Sequence, residues 1–242
     1  MTDVHSHLIF NVDDGSTSIE ESIELLKRMK DVGFDNVIIT PHFISDTEYS
    51  SSNKLKLIRL EEIRKELKEK NIDINVYLGN EIYINNKIDK LIEEGEIYPL
   101  NNSKYLLIEL PMHNVINNFE DILYELKCKG YEVVIAHPER YSYFQENPYL
   151  IKSLFDDGYL FQCNYSSIIG YYGNDAEKTL KYMLKNRYVH YFGTDIHRLN
   201  RTFVLDNFNE IKNKIIKLVG EDYFNEIMSN SDNLVGESDG KE

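Results

Sequence analysis

Apolar positions along the chain follow two alternating patterns. Short unbroken apolar runs occur at residues 2–5, 36–39, 75–78, 105–108, 132–136, 159–162 and 189–192. Between them, apolar residues recur every three or four positions, the period of a helix with one buried face. The first such stretch aligns Ile19, Ile23, Leu26 and Val32; Ser18 with Glu21 forms its capping box, and Gly33 ends it. A second, at about 53–70, aligns Leu57, Leu60, Ile63 and Leu67. Further helices are expected at about 118–129, 147–156, 174–185 and 205–219. This alternation predicts an α/β fold with a parallel sheet. VIIT, YLLIEL and VVIAHP are continuous apolar runs, as in strands buried on both faces. One closed or distorted (β/α) barrel suits the length better than two doubly wound domains. The polar, acidic stretch 229–242 is expected to fray, leaving residues 1–228 as a single domain.

Composition narrows the functional classes. The chain carries 41 acidic against 27 basic residues, a net charge of −14. That argues against nucleic acid as a partner, since phosphate backbones need a positive field. Two cysteines, Cys128 and Cys163, rule out a disulfide framework and fit a reducing compartment; both are read as packing residues. The start, MTDVHSHLIF, has no signal-peptide pattern, and no run approaches the roughly 18 apolar residues of a spanning helix. A cytoplasmic protein without membrane insertion is expected. Its oligomeric state is left open.

The chemistry lies where the strands end. His5-Ser6-His7 and then Asp13-Asp14-Gly15 follow the first run, Pro41-His42 the second, and Gly79-Asn80-Glu81 the third. Glu109 ends the fourth, His137-Pro138-Glu139-Arg140 follow the fifth, and Thr194-Asp195-Ile196-His197 follow the last. In parallel α/β folds these ends share one face, where sites are assembled from many loops. Residues two apart point the same way, so His5 and His7 can reach one ion together, as can Asp195 and His197. The candidate set is His5, His7, Asp14, His42, Glu81, Glu109, His137, Asp195 and His197. Nine N/O donors without a thiolate are too many for one ion and suit two or three divalent cations, with manganese, iron or zinc favoured over calcium. The Asp-Asp-Gly run is not an EF-hand loop, because aligning Gly15 would put Phe10 and Val12 at ligand positions. His113 and His190 fall off the pattern and are read as structural. Arg140, Arg198 and Arg201 stand beside the ligands and suggest an anionic substrate, since guanidinium matches phosphate oxygens; the alternative is a salt bridge to Glu139 or Asp195. Tyr141, Tyr143, Tyr149, Tyr165, Tyr171 and Tyr172 form a candidate aromatic groove.

Together, DVHSH, DDG, TPH, the glycine and glutamate at 79 and 81, IEL, AHPER and TDIH resemble the PHP (polymerase and histidinol phosphatase) superfamily. Within it they resemble the bacterial protein-tyrosine phosphatases of capsule and exopolysaccharide operons, over about residues 1–205. The resemblance implies a distorted (β/α)7 barrel with a trinuclear centre, usually of manganese or iron. It implies one ion on His5, His7, Glu81 and Asp195, a second on Glu81, Glu109 and His137, and a third on Asp14, His42 and His197. Arg140 and Arg201 match the phosphate-binding arginines, and Arg198 is added as a further substrate contact. The implied activity is hydrolysis of phosphotyrosine on the tail of a partner bacterial tyrosine kinase that regulates polysaccharide synthesis. The implied nucleophile is hydroxide formed from water acidified by the cations, with His42 as a candidate acid. The Cys-x5-Arg loop of thiol phosphatases is absent. Two other readings are a phosphoesterase for a small monoester, of the histidinol-phosphate or nucleotide type, and a non-catalytic metal-loaded module that binds a kinase tail.

Overall fold

The computed structural model describes residues 1–236. Its strands are β1 (Thr2–Asp3), β2 (Asn36–Ile39), β3 (His42–Phe43), β4 (Asn75–Leu78), β5 (Glu81–Tyr83), β6 (Tyr105–Glu109), β7 (Glu132–Ala136), β8 (Leu160–Asn164) and β9 (Tyr191–Gly193). Its helices are α1 (Ile19–Asp31), α2 (Asn53–Glu69), α3 (Ile88–Glu93), α4 (Phe119–Cys128), α5 (Ser142–Glu146), α6 (Tyr149–Asp156), α7 (Asn174–Lys185), α8 (Phe203–Asp206), α9 (Phe208–Val219) and α10 (Glu221–Gly236).

All strand pairings are parallel, in the orders β1-β2-β4 and β3-β5-β6-β7-β8-β9. The two sheets are one barrel. β3 resumes β2 after Thr40-Pro41, where proline has no N–H to give the ladder, and β5 resumes β4 after Gly79-Asn80. The Gly79 amide still donates to the Ile39 carbonyl at 2.9 Å, and the Glu81 amide to Pro41 at 3.2 Å, so pairing continues across the breaks. The ring closes between the first and last strands through a parallel bridge at Ser6 and Ile196, with the His7 amide 2.9 Å from the Ile196 carbonyl. Seven staves result, the distorted (β/α)7 barrel that the motifs imply.

Alternation along the staves sorts the residues. Ile38, Leu107, Val134 and Tyr191 pack together inside the barrel, while Val37, Ile39, Leu106, Ile108, Val133, Ile135 and Phe192 join the larger core under the helices. Continuing the inward register reaches His42, Glu81, Glu109, Gln162, Asn164 and Asp195. The lumen is therefore apolar below and polar at the carboxyl end.

Several element expectations are corrected. The run at 205–219 is two helices, α8 and α9, broken at Asn207, whose Nδ2 donates back to the Phe203 carbonyl at 2.9 Å. The runs at 159–162 and 189–192 are strands one or two residues further on. Residues 229–236 are not frayed: they complete α10, where Ser231 and Leu234 are buried and the Asn101 amide donates to the Leu234 carbonyl. The rest of the expected tail, 237–242, lies outside the described residues. Cys128 is exposed rather than packed, whereas Cys163 is buried against Met183.

Candidate metal centre

All nine proposed ligands meet at the carboxyl end of the barrel. His5 Nε2 lies 3.2 Å from His7 Nε2, 3.3 Å from Glu81 Oε2 and 3.7 Å from Asp195 Oδ1. His7 Nε2 is 3.4 Å from Glu81 Oε2 and 3.5 Å from Asp195 Oδ1. His137 Nε2 is 2.8 Å from Glu81 Oε1 and 4.0 Å from Glu109 Oε1. His42 puts Nδ1 2.9 Å from Glu81 Oε2 and Nε2 3.6 Å from Asp14 Oδ1; His197 Nε2 is 3.4 Å from the same Asp14 oxygen. Three sets have donor atoms close enough to share an ion: His5, His7 and Glu81; His42, Glu81 and Glu109; and His7, Asp14, His42 and His197. These overlap more than the family pattern implies, with His7 and His42 each in two sets.

This donor set fits divalent cations. Ligands about 2.1 Å from one ion stand roughly 3.0–3.4 Å from each other, close to most of these separations. His137 Nε2 and Glu81 Oε1 are at hydrogen-bond distance, but most of the other contacts are too long for good hydrogen bonds. Two imidazole Nε2 atoms facing each other need something between them. His42 Nδ1 and Glu81 Oε2 are buried without a hydrogen-bond partner, as is His137 Nδ1. Electrostatics agree. Burial, reinforced by the Glu81 carboxylate, pushes Glu109 up to about 8, a strain that a cation would relieve. Burial and the Arg140 charge pull His137 down to about 4, leaving a neutral imidazole. Burial opposes charge on His5 too, yet Glu81 and Asp195 raise it to about 9.

Around the ligands lies a layer that the sequence did not disclose. His5 Nδ1 donates to Gln162 Oε1 at 2.8 Å, and Gln162 Nε2 donates to Asn164 Oδ1 at 3.0 Å. Asn164 Nδ2 and Arg140 Nη1 each donate to Asp195 Oδ2 at 2.8 Å, turning Asp195 Oδ1 toward His5 and His7. His7 Nδ1 donates to Asp13 Oδ2 at 2.8 Å, and the His42 amide donates to the same oxygen. Despite burial, His7 and His42 hold Asp13 at about 2. His197 Nδ1 donates to the Asp195 carbonyl at 2.9 Å. The bonds from Nδ1 of His5, His7 and His197 fix the tautomer of those rings and turn each Nε2 toward the cluster. Two glycines make room: a Cβ on Gly193 would sit 2.5 Å from His5 Cβ, and one on Gly15 would sit 2.1 Å from the His7 carbonyl oxygen. His137 and Asp195 adopt φ of +33° and +52°, a left-handed backbone that turns each off its strand end.

The arginines separate. Arg140 and Arg201 line a cavity of about 260 Å³ above the ligands. Arg140 also makes the anticipated salt bridge to Asp195 and stacks 4.4 Å above the Tyr172 ring. Arg198 is outside the cavity wall, where its Nε donates to the Asp14 and Gly15 carbonyls and braces the Asp-Asp-Gly turn. Of the tyrosines, Tyr171 and Tyr172 line the cavity; Tyr141 and Tyr165 are buried core, and Tyr149 is exposed at the start of α6. His190 lies away from the site, its Nδ1 accepting the Phe161 amide at 3.1 Å.

A parallel barrel with a histidine-carboxylate cluster at its carboxyl end has the architecture of a metal-dependent hydrolase of the TIM-like barrel type. The chain belongs to the capsular polysaccharide synthesis CpsB/CapC family, whose model matches residues 1–236. It is 36% identical over 216 residues to the CapC protein of Staphylococcus aureus, covering 88% of this chain and 84% of that one. It is 32% identical over 207 residues to the tyrosine-protein phosphatase CpsB of Streptococcus pneumoniae, covering 83% and 84%. A solved structure, described as from YwqE of Bacillus subtilis and CpsB of Streptococcus pneumoniae, unique metal-dependent tyrosine phosphatases, superposes with a TM-score of 0.91 at 28% identity. That match covers 98% of this chain and 94% of the other.

Proposed function

We propose that the protein is a metal-dependent protein-tyrosine phosphatase whose substrate is a phosphotyrosine segment of a bacterial tyrosine kinase in capsular or exopolysaccharide synthesis. The reading rests chiefly on seven N/O residues whose donor atoms group closely enough to share ions, with His137 and Asp195 in contact with them, beneath a cavity that two arginines line. The centre would take two or three divalent ions, manganese first and iron or zinc as alternatives, held by His5, His7, Asp14, His42, Glu81, Glu109, His137, Asp195 and His197. No helix among the described residues is long and apolar enough to cross a membrane. A cytoplasmic site of action follows from the proposed partner.

When bound, such ions supply Lewis acidity that acidifies water and offsets phosphate charge. The chain's own residues do the rest. Arg201 and the remaining N–H groups of the Arg140 guanidinium hold phosphate oxygens, with Arg140 aligned by its bond to Asp195. Both ring nitrogens of His42 face carboxylates, so we assign it to ligation and not to proton delivery. The water oxygen bonds to phosphorus and the P–O(aryl) bond breaks. Its electron pair leaves on a phenolate of pKa about 10, which takes its proton from solvent. Tyrosine and inorganic phosphate result.

The test is a substrate panel on manganese-loaded protein with a phosphotyrosine peptide, histidinol phosphate and a nucleoside monophosphate. The proposal expects the phosphopeptide to have the highest kcat/KM. Preference for either small monoester would replace it with the corresponding phosphoesterase.

A further inference from the structure

The cavity lining is chemically mixed. His42, Glu81, Asp195 and the two arginines are charged or ionisable, while Tyr171, Tyr172 and Val204 bring rings and an apolar side chain to the same wall. Tyr171 stacks on Phe203 with ring centroids 4.8 Å apart and planes 23° apart, and meets Tyr172 edge-on at 5.0 Å. Tyr171 is 45% exposed and Phe203 38%. Single exposed apolar side chains are ordinary, but a stacked, exposed aromatic pair with one ring in the lining of a charged cavity is not.

The wall is also held in place. The Gly170 amide donates to the Ser167 carbonyl, and Gly173 to Gly170, closing a tight turn around Tyr171 and Tyr172. On the facing segment the Leu199 amide donates to Glu21 Oε1 at 3.0 Å, and Arg198 braces the Asp14-Gly15 turn. An aromatic pair fixed before ligand arrives loses little freedom on binding a flat ring.

We propose that Tyr171, held by its stack on Phe203, forms with Val204 the subsite for the aryl ring of the phosphoester and selects phosphotyrosine over phosphoserine and phosphothreonine. The inference rests on the phosphatase reading. With phosphate oxygens on Arg140 and Arg201, the ring has to lie within the same small cavity, against Tyr171 and Val204. The volume of about 260 Å³ lies below the roughly 300–1,000 Å³ of drug-sized pockets and suits one phosphorylated side chain. An alkyl phosphoester reaches the same anion contacts but has no ring to stack.

The deciding experiment is calorimetric binding of phenylphosphonate and methylphosphonate, neither of which can be hydrolysed at a P–O(aryl) bond, to manganese-loaded full-length protein. Wild type should prefer the phenyl ligand. Tyr171→Ala and Phe203→Ala should each cut that preference about five- to tenfold, the usual worth of one aromatic pair; Tyr171→Phe should restore it. Manganese bound per chain should match wild type in all three, which separates a lost ring contact from a damaged centre. In turnover, the alanine variants should raise KM for a phosphotyrosine peptide relative to the matched phosphoserine peptide. Equal weakening of both phosphonates, or an undiminished phenyl preference in both alanine variants, would overturn the subsite. Loss of phosphotyrosine turnover in wild type with the phenyl preference intact would instead overturn the phosphatase reading and leave the subsite standing.

Discussion

Gln162 shows why part of the site was hidden. Metal-ligand chemistry picks out histidine and carboxylate, and the convergence of the nine candidates on one face was legible from their positions at strand ends. A glutamine carries no such signal. Gln162 nevertheless fixes the His5 tautomer and reaches Asp195 through Asn164. The available clue was register: Leu160, Gln162 and Asn164 alternate inward, and a polar inward residue needs a partner. Asp13 was hidden differently, behind Asp14 with the same chemistry next door. Gln162→Leu should retain the fold and weaken metal binding about 10- to 100-fold, as measured by competition with a chelator. His190 makes a contrasting prediction. Burial lowers it to about 4, against an ordinary 6.5, so the unfolded chain binds the extra proton first. Its contribution is complete above pH 6.5, declines as pH falls toward 4, and then levels off. Urea titrations of wild type and His190→Gln should diverge between pH 7 and pH 4.5, with wild type losing on the order of 2–3 kcal/mol more. Parallel pH curves would show that His190 does not titrate this way.

Among the elements, strands were read best where both faces are buried and worst where the barrel is distorted. β1 and β9 are short: Asp195 takes a left-handed backbone just past β9, and the first and last staves are joined by a single bridge. α10 was not legible. Its second half, Ser-Asn-Ser-Asp-Asn, is made of residues that favour turns over helices. It is helical because Tyr223, Phe224, Ile227, Met228, Ser231 and Leu234 are buried together, and packing outweighs local preference. Leu234 joins the interior cluster with Ile38, Leu107 and Val134, so the helix plugs the bottom of the barrel. Leu234→Ala should cost about 2–4 kcal/mol in unfolding free energy with metal content unchanged, because the plug lies at the other end from the ligands. A coupled loss of metal would contradict that separation. Gly193→Ala should do the reverse damage: its methyl group has no room beside His5 Cβ, so bound metal should fall before stability does.

For the molecule as a whole, the surplus of acidic residues and the metal centre belong to one design. Glu81, Glu109 and Asp195 sit almost dry within a few ångströms of one another, an arrangement that protonated histidines balance only in part. Divalent cations would offset that charge, and all but one of the staves place a candidate ligand there. The most direct test strips the protein with a chelator and follows phosphotyrosine-peptide hydrolysis as manganese is returned. The account predicts no turnover at zero metal and saturation at two to three equivalents per chain. Full turnover by protein shown to be metal-free would contradict it.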